Sequence, residues 1–314
     1  MGNPGAGYTC RYILLLMASS ATLAVTVFLN NISMVPIDIG SGWFQPFNDT
    51  KQFPYPVSIQ PSDFTFFMWS LVYLWQAVWL IYCLTSLCRR NGAGAVFLNP
   101  PIITPIFLAM FCVIMALNIG WLFLFDMELI VWAAFVSFLL TASLIVMLYI
   151  NCRNVDIYGV QLLQEHKFDL WANRILIQNG LALYAGWCSI STILNLIYTF
   201  VYGGVMTSSG GNMDENLASL IGISLIGLNI VLYFYLENFV WERYMRYTYT
   251  VWGAFLWAVI GIMTKDFSYD VNTFIAFGLL GMTFILFIVK IILSIWRSHA
   301  KPLYIALSPV PQMI

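Results

Sequence analysis

Eight separate runs of this chain are long and apolar enough to cross a bilayer: Tyr12–Leu29, Phe64–Leu87, Ile102–Phe125, Leu129–Ile150, Arg174–Tyr202, Leu217–Phe239, Tyr247–Thr264 and Thr273–Trp296. A span needs about 20 apolar residues, because the hydrocarbon layer is ~30 Å thick and a helix rises ~1.5 Å per residue. Backbone groups in lipid must pair within their own segment or in a closed barrel. Barrel strands are shorter and alternate polar with apolar residues, and these runs do neither. The expectation is an all-α, polytopic transmembrane helix bundle of about eight spans. Composition agrees, with 61% hydrophobic and 9% charged residues, where soluble domains carry about a quarter charged. The net charge of −1 provides no basic surface for nucleic acid.

Basic residues fall on alternate loops, which sets the orientation. With the N-terminus inside, inner segments hold Arg11, Arg89, Arg90, Arg153, Lys167, Arg174, Arg243, Arg246, Lys290, Arg297 and Lys301, and outer loops hold Lys51 and Lys265. The outer loops carry acids instead, at Asp38, Asp49, Asp126, Glu128, Asp214, Glu215, Asp266 and Asp270. An even number of spans then leaves both termini in the cytosol, in a plasma membrane or an endomembrane. The first apolar run reads as an uncleaved span rather than a signal peptide, because no small-residue cleavage site follows before Asn30. Two glycosylation sequons, Asn31-Ile32-Ser33 and Asn48-Asp49-Thr50, fall outside. Asn31 hugs the membrane, so Asn48 is the expected acceptor. None of the cysteines lies in an outer loop, so no extracellular disulfide is expected.

The chain divides into residues 1–203 with five spans, a Gly/Ser-rich outer linker at 204–216, three further spans in 217–297, and a cytosolic tail at 298–314. The long outer loop at 30–63 is rich in proline and aromatics, which argues for a cap on the helix ends rather than a disordered tether. The inner stretch Asn151–Trp171 is polar enough for a short amphipathic helix on the membrane surface.

Three polar-aromatic clusters interrupt the apolar runs. Trp69, Tyr73 and Gln76 share one face of the second span, and Trp75, Trp79 and Tyr82 share another. Asn118 and Trp121 sit in the third span, with Phe125 a turn further on. Tyr184 and Trp187 sit in the fifth, with Asn195 two turns beyond. Amides in hydrocarbon need partners, so Asn118, Gln178, Asn179, Asn195 and Asn229 are expected to face the bundle interior. Aromatic rings beside them would form an apolar wall with a few polar anchors, which suits a flat hydrophobic ligand. Tryptophan and tyrosine also form interfacial belts, and asparagine also joins helices, so a purely structural reading stands beside this one.

The order and spacing of these clusters resemble the tryptophan-rich sensory protein family, whose eukaryotic branch is the translocator protein or peripheral benzodiazepine receptor. The residues that carry the resemblance are Trp69–Tyr73, Asn118-x-x-Trp121, and Tyr184-x-x-Trp187 followed by Leu194-Asn195. Phe66-x-x-Trp69 and Leu256–Ile262 look like motifs of the longer, divergent branch. The resemblance covers the first five spans and the long first loop. It implies a translocator-protein-like five-helix bundle with a pocket for a porphyrin, a sterol or a similar flat molecule. It also implies a ligand site at Trp69, Tyr73, Asn118, Trp121, Tyr184, Trp187 and Asn195. Met68 and Leu183 stand where short members place proline, so pocket shape is expected to differ. Sterol-type patterns also run through Tyr149 and Tyr244.

No phosphate-binding loop, dinucleotide fingerprint, zinc-protease motif or serine-hydrolase elbow is present. Neither enzymatic activity nor a metal or cofactor is expected. Glu237 is expected to reach the interface or pair with Arg243, with proton coupling as the alternative. The expected function is sensing or transport of a flat hydrophobic ligand. A non-catalytic accessory subunit of a membrane complex is the alternative, and a carrier of neutral or lipid-like cargo a weaker one. Expected partners are membrane lipid, that ligand, and a membrane protein or a second copy of the chain.

Overall fold

The computed structural model describes residues 4–34, 55–91, 94–204, 212–265 and 271–304. Asn48, most of the long first loop, the Gly/Ser run at 205–211 and the end of the tail lie outside the described residues. Apart from a two-stranded hairpin (β1, Arg90–Asn91; β2, Gly94–Ala95), the described elements are helical. The long helices are α1 (Pro4–Met34), α2 (Phe67–Cys88), α3 (Pro105–Asp126), α4 (Ile130–Ile157), α7 (Asn179–Tyr202), α8 (Glu215–Tyr235), α10 (Thr250–Lys265) and α11 (Val271–Ala300). Three short ones, α5 (Gly159–Glu165), α6 (Lys167–Ala172) and α9 (Glu242–Met245), fill the turns.

Among the described residues, seven helices are long and apolar enough to span a membrane, consistent with a polytopic helical bundle. The remaining expected span is α10, which has 16 residues and so reaches about 24 Å at 1.5 Å per residue, short of the hydrocarbon thickness. Protein closes the gap at both of its ends. At its start, the Tyr249 amide donates to Asn179 Oδ1 (2.8 Å) and Thr250 Oγ1 donates to the Asn179 carbonyl (2.5 Å). Near its end, the Ser62 amide donates to the Gly261 carbonyl (3.0 Å), and Trp257 Nε1 donates to the Thr65 carbonyl (3.0 Å). This approach requires Gly261, since a Cβ there would overlap the Thr65 side chain.

Local chemistry sets other boundaries. Thr104 caps α3 by accepting from the Phe107 amide (3.3 Å), with Pro105 at the first helical position. Asp214 caps α8 through the Leu217 amide (3.1 Å). The first helix outruns the expected boundary at Leu29. On that extension the side chains of Asn30, Asn31 and Ser33 donate back to the carbonyls of Thr26, Val27 and Asn30, which satisfies these polar groups inside the helix. The Asn31-Ile32-Ser33 sequon is therefore helix, not loop.

The helices α1, α3, α4, α7 and α2 form a closed ring, each touching the next in that order. A second ring runs α7, α8, α11, α10. Both share α7, which explains its burial: 72% of its most apolar stretch is covered by protein, against 22–39% in the other spans. Within the long loop, Tyr55, Val57 and Ile59 are buried, and Tyr202 donates its hydroxyl to the Pro56 carbonyl (2.5 Å). The described part of that loop thus folds onto the helix ends. The expected amphipathic stretch is two short helices, α5 and α6. They bury Leu162 and Leu170 against Ile102 and Val155 and leave Val160, Phe168 and Trp171 exposed.

Glu237 departs from expectation. A π-helical turn, Leu236–Val240, follows α8, and a π turn re-aims the side chains it carries. Glu237 is fully buried and pairs with Lys290 (2.9 Å), while Arg243 pairs with Asp156 (2.6 Å). The Glu237 carboxylate also accepts from Tyr233 (3.1 Å), Thr248 (3.2 Å) and Trp252 Nε1 (3.0 Å). Arg89 with Asp169 and Arg246 with Glu242 complete a charged layer at this end of the bundle.

Candidate functional site

All seven residues singled out from the sequence meet inside the five-helix ring, toward the end opposite the charged layer. Helical spacing brings Trp69 and Tyr73 from α2, Asn118 and Trp121 from α3, and Tyr184, Trp187 and Asn195 from α7 into one group. Six of them are buried and Trp121 is half-buried. Asn118 is the polar hub. Its Oδ1 accepts from the Tyr73 hydroxyl (3.1 Å) and from Asn30 Nδ2 (3.3 Å), and its Nδ2 donates to the Tyr184 hydroxyl (2.7 Å). One amide thus joins α1, α2, α3 and α7. A second link runs from Trp121 Nε1 to Asn195 Oδ1 (3.1 Å).

Trp69 is the aromatic hub. It stacks on Tyr73 (centroids 5.6 Å apart) and Trp121 (6.1 Å), and meets Tyr184 (6.0 Å) and Trp187 (6.3 Å) edge to face. Trp121 continues the array to Phe125 (5.4 Å), which meets Tyr55 from the long loop (5.6 Å). These separations are those of rings in direct contact. A flat ligand slid between Trp69 and Trp121 would need van der Waals spacing on both faces, about 7–8 Å. The expected open chamber is instead ring-filled along this line. One polar atom in the cluster stands apart: Trp187 Nε1 is buried with no hydrogen-bond partner among the described residues.

Of the other expected inward amides, Asn179 and Asn229 find partners, and Gln178 is buried. Gln76 Nε2 donates to the Gly180 carbonyl (3.1 Å) and Gln76 Oε1 accepts from Trp79 Nε1 (2.7 Å), tying α2 to α7. Gly180 sits against Trp75, whose ring a Cβ would meet at 2.7 Å. Asn229 donates to Ser189 (3.0 Å), linking α8 to α7. Two contributors were not anticipated. Asn30, expected as the first loop residue, is helical and donates to Asn118, and an amide one helical turn after Thr26 is the sequence signal for that. At the opposite end of the bundle Lys290, expected among the inner charges, is buried against Glu237, and nothing in a single helix pattern points it there. Tyr149 and Tyr244, from the two sterol-type patterns, meet each other edge to face (5.8 Å). Outside the spans, burial pushes the Tyr304 hydroxyl up to about 12, while the neighbouring Arg174 guanidinium pulls it down. No cluster of three or more His, Cys, Asp or Glu able to hold a metal occurs among the described residues.

No curated protein and no solved structure matches the chain. A family model described as TSPO-like protein matches residues 13–292 of its 314 residues, a stretch that includes both rings and every residue of the aromatic cluster. The chain belongs to the TSPO-like family.

Proposed function

We propose that this membrane protein binds a flat hydrophobic ligand of porphyrin or sterol type at the aromatic cluster, and acts as a sensor or transporter rather than an enzyme. The observation that carries this reading is the Trp187 indole N–H, buried without a partner among the described residues, on a ring that meets Trp69 edge to face. A buried donor without a partner is costly, and a ligand carbonyl or carboxylate would satisfy it. Entry would part Trp69 from Trp121, with Trp121 the mobile member because it is half-buried and held by one bond to Asn195. Both termini lie in the cytosol in this reading, on the side of the charged layer. Protoporphyrin titrated into the detergent-solubilised chain is expected to quench tryptophan fluorescence saturably. The Trp121→Ala/Trp187→Ala pair is expected to abolish the saturable part. Absence of saturable binding by protoporphyrin and by cholesterol refutes the reading.

The ring-on-ring packing favours a second reading, in which the cluster is a keystone and the chain an accessory subunit. A stoichiometric membrane-protein partner, co-purifying from native membrane and lost on mutation of exposed helix faces, is the expected sign of that role.

A further inference from the structure

Two of the six cysteines are exposed: Cys10 on α1 and Cys88, the last residue of α2. The others are covered wholly or in part. Cys83, Cys152 and Cys188 are buried, and Cys112 is half-buried within α3, 3.5 Å from the Ser19 hydroxyl. The two exposed thiols share one level of the bundle. Asn30 of α1 and Tyr73 of α2 meet at Asn118, while Tyr12 of α1 and Ser86 of α2 wall one hollow, so the two helices run in opposite directions. Cys10, two residues before Tyr12, and Cys88, two after Ser86, therefore each lie about 3 Å further toward the charged layer.

Basic side chains flank both thiols: Arg11 follows Cys10, and Arg89 and Arg90 follow Cys88, with Arg11 and Arg90 exposed. Such residues belong to the cytosolic headgroup level. Each thiol also ends an apolar stripe that faces away from the bundle. On α1 the stripe is Cys10, Leu14 and Met17, with Leu14 60% and Met17 63% exposed. On α2 it is Ile81, Leu84 and Cys88, with Ile81 58% and Leu84 41% exposed. A hydrocarbon chain attached to either sulfur would lie along these side chains inside the bilayer. Juxtamembrane cysteines are where fatty acids are reversibly added to proteins.

We propose that Cys10 and Cys88 are S-acylated with long-chain fatty acid. The cysteine sulfur attacks the thioester carbonyl of a long-chain acyl-coenzyme A, presented by a membrane acyltransferase. A C–S bond to cysteine forms, the C–S bond to coenzyme A breaks, and the thiol proton ends on the coenzyme A sulfur, with no change of oxidation state. The modification rests on the cytosolic placement of the charged layer and is independent of the ligand reading of the aromatic cluster.

The test expresses the full chain with a C-terminal epitope in cultured animal cells. Free thiols are blocked with N-ethylmaleimide, thioesters are cleaved with neutral hydroxylamine, and the released thiols are coupled to PEG-maleimide. The wild-type chain is expected to give a doubly shifted band on a gel, only after hydroxylamine. Cys10→Ser and Cys88→Ser are each expected to lose one step and the double variant both, while Cys112→Ser keeps both. Absence of a hydroxylamine-dependent shift overturns the proposal, as does a shift that never exceeds one step or one that survives in the double variant. Antibody access to the epitope after digitonin permeabilisation of the plasma membrane, and not before, reads the orientation separately. Any other access pattern removes the cytosolic placement and the proposal with it, whereas the expected pattern with no shift refutes acylation alone. The exchange is read on the wild-type chain, so misfolding of a serine variant does not blur the outcome.

Discussion

Replacing Asn118 with leucine severs three side-chain bonds at once, to Asn30, Tyr73 and Tyr184 on three different helices. Leucine fills nearly the same volume, so cavity formation contributes little. Hydrogen bonds between membrane helices average about 0.6 kcal/mol and reach about 1.7. Three of them sum to about 2 kcal/mol, with a ceiling of about 5. Their common dependence on one residue pushes the loss toward the upper part of that range, because Tyr73 and Tyr184 keep buried hydroxyls with nothing to bond. Reversible unfolding in mixed micelles with rising SDS measures it. The same substitution in a Tyr73→Phe/Tyr184→Phe background is expected to cost less, since the stranded hydroxyls are gone. A loss under about 0.5 kcal/mol in the wild-type background refutes the claim that the amide holds the ring together.

Three further outcomes are expected. Lys290→Met leaves Glu237 buried without its counter-charge and is expected to destabilise by about 3–5 kcal/mol, while Glu237→Gln/Lys290→Met recovers most of that in the same assay. Gly261→Val forces α10 away from the 62–65 turn and is expected to cost about 1–3 kcal/mol, read as a lowered unfolding midpoint, with Gly253→Ala, where nothing lies near the added Cβ, as the neutral control. Expression in a glycosylating host is expected to give an endoglycosidase-sensitive mobility shift that Asn48→Gln removes and Asn31→Gln leaves in place.

Much of the fold is legible because the bilayer makes one demand of every span. Length and hydropathy place each long helix, and the requirement that buried amides find partners brings Asn118, Asn195 and the rings beside them inward. Tertiary exceptions are less legible. A span of 16 residues suffices for α10 only because Asn179 and the turn at Ser62–Thr65 receive its ends, and neither is near it in sequence. Glu237 turns toward Lys290 through a π turn that no periodicity announces. The density of the aromatic cluster is likewise a property of ring orientation, which spacing along a helix does not encode. Trp69 and Trp121 could be assigned to one group from their positions, but not their stacking.

Because α7 is a party wall, the two halves of the molecule are not separable compartments. A rotation of that helix that moves Trp187 on one side must also carry Ser189 against Asn229 and Gly186 against Val251 on the other. Occupancy of the aromatic cluster would then be felt by the last three helices, and severing the chain at 205–211 would strip the wall of half its support.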